Sequence, residues 1–401
     1  MLASSRDRRE GPRTVSHRGI IFALLMLCAV LSLAGTDLIL PAVPALPAIF
    51  TTNEATAQLV LASYVAGTAA GLLLFGTLAD HVALRTLVVS SLVVFAIASL
   101  ACALSPGIWT LIVLRFIQGT ASAAAPVFGP AIIRQIFSEK AGVRAIGLLG
   151  SVESLVPALA PILGVLLLAK YGWQSSFELV SVVAMVAAAL ILVLGLPQQP
   201  NAADARGSYR ALLLDPVFMR YALSQAMTLG GLVVFVFGAP AVIVGTMGGT
   251  LRHFIAMQVC GVLGFIVAAN LTSRFAERWG TERIILVGTA MALASAVTIL
   301  AYALAGGSNS ALLPALFLPM NIGLGLRGPL GFYRGIVASG TNSARGSALI
   351  VFFILAMTSL GTLVAAPLIN QGLWALGAVT CAIHALSVGL LVLLPRMPNP
   401  N

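Results

Sequence analysis

The chain has 401 residues, 59% of them hydrophobic and 8% charged, with a mean hydropathy of +1.04, so it carries far more apolar surface than one soluble core can bury. Its net charge of +10 does not mark a nucleic-acid binder, because the basic residues are strung thinly along short loops instead of gathered on one face. The composition specifies an integral membrane protein.

The basic leader, residues 1–18, precedes a run from Gly19 to Thr36 in which eighteen residues carry no charge, enough to span a bilayer core as a helix. The run is too long for a signal peptide, and no small-residue cleavage site precedes Asp37, so this helix is expected to be retained. Asp37 closes the run just before Pro41. A carboxylate there is costly in hydrocarbon and must face protein or water. It is either a working proton carrier or a solvated helix end.

Twelve apolar runs of spanning length follow one another, near 19–41, 55–77, 85–105, 109–132, 144–169, 174–196, 218–243, 253–273, 283–305, 310–332, 345–369 and 372–395. Runs of this length in lipid mean helices, which predicts an all-α integral membrane fold with 12 transmembrane helices. Eighteen of the 22 Lys and Arg residues fall on one side of these spans, two (Lys170 and Arg252) on the other, and two (Arg115 and Arg327) inside. That split predicts an even number of helices with both termini in the cytoplasm. The polar stretch Pro197–Pro216 divides the spans six and six. The expected organisation is a tail at 1–18, a six-helix bundle at 19–196, a cytoplasmic linker at 197–217, a second six-helix bundle at 218–395 and a tail at 396–401. Two such halves suggest a site between them at the midplane.

Chemistry-bearing signals are sparse. Cys28, Cys102, Cys260 and Cys381 have no metal or disulfide spacing, and the four histidines show no ligand pattern, so neither metal nor cofactor is expected. No phosphate-binding loop is present, so transport would run on an ion gradient. No interfacial cluster of His, Asp or Glu points to an enzyme. The interior charges are Asp37, Arg115, Glu153, Arg327 and, near an interface, Glu178. Arg115 is the natural partner of Asp37 or forms a helix-locking pair with Gln118, and helical spacing puts Arg115, Gln118 and Gly119 on one face. Glu153 reads as a proton or cation site, or as a partner of Arg134 or Arg144. Arg327, among glycines, is expected to snorkel to the cytoplasmic face.

The loop after the second span reads Gly76-Thr-Leu-Ala-Asp80-His-Val-Ala-Leu-Arg85, where Gly76 allows close helix approach and Asp80 pairs with Arg85 or a helix end. The matching place in the second half runs from Asn270 to Gly280. The first loop resembles the signature of the major facilitator superfamily, with Ala83 and Leu84 replacing its usual Gly and second basic residue. Arg115-Phe-Ile-Gln118-Gly119 is similar to that family's fourth-span motif, and Gly172-Trp173-Gln174 with Phe177 to its sixth-helix opening. Gly150 to Gly164, with Pro157 and Pro161, resembles the fifth-span motif of proton-driven antiporters, Glu153 being a departure from it. Asp37-Leu-Ile-Leu-Pro41-Ala-Val-Pro44 resembles the signature of twelve-helix drug:proton antiporters, closest to the bicyclomycin and chloramphenicol/florfenicol exporters.

The resemblance implies a major facilitator fold in the cell inner membrane, exporting small amphipathic drugs against protons by alternating access. It implies proton coupling at Asp37, with Arg115 and Glu153 beside it. Gly76, Asp80, Arg85, Gly150, Pro157, Pro161 and Gly164 would serve the conformational change. A pocket for such drugs needs apolar and aromatic walls with a few polar anchors, for which Tyr64, Gln118, Gln225, Phe235 and Asn321 are candidates. The expected partners are a small-molecule substrate, protons and the lipid bilayer, with no nucleic acid, and the chain is expected to act as a monomer. The competing reading is a proton-coupled transporter of a sugar, amino acid or nucleoside, which would want more buried polar groups.

Overall fold

A computed structural model describes residues 12–78, 81–137, 139–196, 209–340 and 343–397, and these are helical almost throughout. Hydrocarbon offers backbone groups no partners, so each span closes its own hydrogen bonds as a helix. The described residues contain 12 helical spans long and apolar enough to cross a membrane, in the order read from the sequence.

The first span is α1 (Pro12–Asp37), which continues as a 3-10 turn over Leu40–Ala45 and the short α2 (Leu46–Phe50). Spans two and three are α3 (Glu54–Leu78) and α4 (Leu84–Ala103). The fourth is split into α5 (Ile108–Ser122) and α6 (Ala124–Ile136), and α7 (Glu139–Tyr171) and α8 (Ser175–Leu194) complete the first six. A short α9 (Tyr209–Leu214) leads to α10 (Pro216–Ala241), α11 (Leu251–Trp279), α12 (Thr281–Leu304), α13 (Leu313–Ala338), α14 (Ser343–Ala365) and α15 (Leu373–Leu393).

Two boundaries differ instructively from the apolar runs. α11 continues past the apolar run to Trp279 and stops at Gly280, whose φ of 85° ends the helix. Within the stretch read as a linker, α9 is ordered because it is apolar: Leu212 is buried with Phe218, Ala222, Leu349 and Ile350.

Small residues set the helix spacing. A Cβ at Gly119 of α5 would collide with the Tyr64 carbonyl of α3, and one at Gly325 of α13 would press on the Phe265 carbonyl of α11. Spans two and four, and spans eight and ten, are thus packed backbone to backbone.

The two ends of the molecule differ. At the end opposite the termini, called here the far end, one buried cluster joins Ile39, Leu46 and Phe177 of the first six spans to Phe235, Phe254, Phe317 and Ile369 of the last six. Three hydrogen bonds cross there between the sets: Asn370 to Glu54 at 2.9 Å, Ser359 to the Ala62 carbonyl at 3.0 Å and Gln258 to the Pro157 carbonyl at 3.2 Å. Toward the termini, the described buried clusters stay within one set: Phe22, Phe128 and Ile133 in the first, and Tyr221, Ile285 and Leu391 in the second. The far end is closed by a shared core, whereas no buried cluster among the described residues joins the sets at the terminal end.

Candidate functional site

Arg115 and Gln118 lie one turn apart on α5, and both are fully buried. A guanidinium in such a place must be satisfied by carboxylates, carbonyls or water. Arg115 donates Nε to the Val60 carbonyl of α3 at 3.0 Å and Nη1 to the Gly35 carbonyl of α1 at 2.7 Å. Nη1 also reaches Gln118 Oε1 at 2.7 Å, and Gln118 Nε2 continues to Ser99 Oγ of α4 at 2.7 Å. The guanidinium carbon sits 4.2 Å from the centroid of the Tyr64 ring and 5.7 Å from that of Phe177. One arginine therefore ties four helices together. Its Nη2 is buried and has no hydrogen-bond partner.

Asp37 is the last residue of α1 and is half-buried. The chain continues past it through Leu40, Val43 and Leu46, which are buried. The expected ion pair between Asp37 and Arg115 is not formed in this structure. The reason lies in the helix end. Gly35 belongs to the last turn of α1, where carbonyls lose their helical partners, and Arg115 caps that carbonyl two residues before the carboxylate. Asp37 itself forms no hydrogen bond or ion pair among the described residues.

Arg327 does not snorkel. It is fully buried on α13, donating Nη1 to the Ser224 carbonyl and to Thr228 Oγ1, each at 2.6 Å, and Nη2 to Ser224 Oγ at 3.2 Å. Ser387 of α15 joins this cluster through the Ser224 carbonyl at 2.9 Å and Thr228 Oγ1 at 2.8 Å. Glycines at 323, 325 and 331 draw α13 inward against its neighbours, so the side chain has no path to an aqueous face.

On α7, Pro157 and Pro161 lie inside the helix. Glu153 is half-buried, and Gly164 packs under the Leu38 carbonyl beside Pro41. Gly150 is exposed, with open space where a Cβ would be. The sequence reading missed Gln258, a buried α11 residue whose amide crosses to the Pro157 carbonyl. The signal was present: Pro161 has no N–H, so the Pro157 carbonyl needs a donor from elsewhere.

The remaining candidates are scattered. A Cβ at Gly76 would meet nothing within 4 Å, so close approach is not the reason for a glycine there in this conformation. Asp80 lies outside the described residues. Arg85 donates to the Leu192 carbonyl at the end of α8, which ties spans three and six of the same half. All five proposed drug anchors are buried in helix contacts. Tyr64 donates to the Ser32 carbonyl at 2.6 Å, and Phe235 stacks on Phe317 with centroids 5.3 Å apart. Asn321 bonds the Phe317 carbonyl at 3.2 Å, Gln118 holds Arg115, and Gln225 has an unpartnered Oε1.

Twelve apolar helices with their charged groups turned inward define a polytopic membrane protein whose chemistry lies between its helices. The sequence matches the Major Facilitator Superfamily over residues 25–353, and the chain belongs to that family, which makes it a transporter and not an enzyme. It is 28% identical over 365 residues to a chloramphenicol resistance protein of Pseudomonas aeruginosa, covering 89% of this chain and 86% of that one. It is 28% identical to the multidrug resistance protein MdtL of Escherichia fergusonii over 57% of this chain and 58% of the relative. The fold is similar to that of a bacterial homolog of the human lysosomal transporter Spinster in an inward-facing, occupied conformation, with a TM-score of 0.69 at 14% identity over 94% of this chain and 96% of that one. It is also similar to that of the nucleoside transporter NupG, with a TM-score of 0.65 at 14% identity over 92% and 98%.

Proposed function

We propose that the protein exports small amphipathic drugs of the chloramphenicol and bicyclomycin type in exchange for protons. It would act as a monomer in the inner membrane, with two six-helix bundles joined by a cytoplasmic linker and both termini cytoplasmic. The observation that carries this reading is Asp37, half-buried at the end of α1, with the Arg115 guanidinium on the carbonyl two residues earlier and its Nη2 unpartnered. An ionised Asp37 would draw that Nη2 to itself, and a protonated Asp37 would leave it alone. Proton loading at Asp37 thus changes how α1 is held against α5 and α3, the kind of local event that biases a two-state equilibrium. With the termini in the cytoplasm, the core shared at the far end would close the outer side. Asp37 unpaired would then be the proton-loaded state that collects drug from the cytoplasm. Kinship to a chloramphenicol resistance protein supports the substrate class.

The test is Asp37→Asn in proteoliposomes with an imposed proton gradient. Drug binding is retained and proton-driven efflux is lost; undiminished efflux would sink the assignment. Wild-type protein in a drug-hypersensitive host should raise resistance to chloramphenicol, florfenicol or bicyclomycin, and a protonophore should abolish the gain.

A further inference from the structure

On the face of α3 that meets the second half, Glu54, Gln58 and Ala62 follow one another a turn apart. The flanking two are engaged across the seam. Glu54 accepts from Asn370, and the Ala62 carbonyl accepts from Ser359. Gln58, between them, is 1% exposed, and neither its Nε2 nor its Oε1 has a hydrogen-bond partner among the described residues. Helical spacing thus sets the amide in the closed seam at the far end, next along the chain to Ala57, Val60 and Leu61 of the shared apolar core. Gln258, the glutamine that does cross that seam, is also buried but has its amide on the Pro157 carbonyl.

A carboxamide taken out of water with nothing in exchange opposes whatever conformation buries it. Here that conformation is the closed far end. Parting the halves along α3 and α14 returns both ends of the Gln58 amide to water, and reclosing strips them again. We propose that Gln58 works as a spring in the far-end gate, raising the free energy of the closed form and so keeping the open form within reach. The shared core and three cross-seam hydrogen bonds would otherwise hold that end shut. A transporter needs both forms accessible, since a cycle stalls in whichever form is too stable. The inference goes beyond the exporter reading, because it concerns the gate alone and holds whichever solute passes and whichever group takes the proton.

Exposure of the shared core measures this with neither drug nor gradient. The reporter is Ala365→Cys, a buried position of that core, in the full-length chain with Cys28, Cys102, Cys260 and Cys381 changed to Ala. The protein is held in nanodiscs and labelled with a water-soluble maleimide. Gln58→Met replaces the amide by an apolar chain of similar length. It slows labelling at least about fivefold, the lower bound for relieving an unmet buried polar group. Gln258→Met, the identical change at a glutamine that has a partner, speeds labelling instead. Labelling of Gln58→Met as fast as the parent, or faster, overturns the proposal. Equal slowing in both variants overturns it too, because the partner would then not matter. If Gln58→Met does not fold, Gln58→Leu is read in the same way; failure of both to fold also overturns it, because an amide that the fold requires is no liability. Slowed labelling in Gln58→Met beside undiminished efflux in Asp37→Asn would keep the gate assignment and discard the proton one.

Discussion

Arg115 and Arg327 occupy the fourth spans of the two halves, and both are fully buried, yet they are held differently. Arg115 rests on two backbone carbonyls of other helices, on Gln118 and on aromatic faces, with Asp37 two residues beyond one of those carbonyls. Arg327 rests on one carbonyl and a set of hydroxyls from Ser224, Thr228 and Ser387. Hydroxyls can rotate to new partners, whereas carbonyls in a helix cannot. The first arrangement is therefore brittle and adjoins an ionisable group. The second is compliant and has no carboxylate in its network.

The largest effect is expected at Arg115. Arg115→Leu strands the Gly35 carbonyl and Gln118 Oε1, at about 1–3 kcal/mol each, removes the tie to the Val60 carbonyl, and should lower the thermal midpoint in detergent sharply and abolish exchange. Next comes Gly119→Val, which drives a side chain into the Tyr64 carbonyl and should cost about 1–3 kcal/mol by parting α3 from α5. Arg327→Leu should cost about 1–2 kcal/mol, because Ser224, Thr228 and Ser387 can bond one another, and drug:proton exchange should persist. Loss of exchange in a folded Arg327→Leu protein would break the contrast between the two arginines. The smallest effect is at Gln258→Leu, which removes one cross-half bond worth about 1 kcal/mol. Spin-label distances across the far end should then show a roughly fivefold rise in the population opened there.

Much of the fold was legible because a span advertises itself by length and polarity alone, whatever packs against it. All twelve spans, and the inward turn of Arg115, could be read that way. The carbonyl partners of Arg115 could not, because backbone carbonyls carry no sequence signature; a side-chain reading could offer only the Asp37 carboxylate and Gln118, and of these the guanidinium bonds Gln118. Arg327 was misread for a related reason. Snorkelling depends on whether the neighbours leave a path, and the glycines that suggested looseness pack α13 tightly against α11 and α12. Gln258 shows the opposite lesson, since counting the hydrogen bonds that Pro161 forbids points to a missing donor even before the helices are placed.

The shared far-end core has a consequence for assembly. Ile39, Leu46 and Phe177 on one side, and Phe235, Phe254 and Ile369 on the other, are covered by a single continuous apolar cluster. Neither half can shield its share alone. Cohesion between the halves is thus written into that buried surface instead of into the peptide that connects them. Residues 1–196 and 209–401 produced as separate polypeptides in one cell should find each other and reconstitute the molecule.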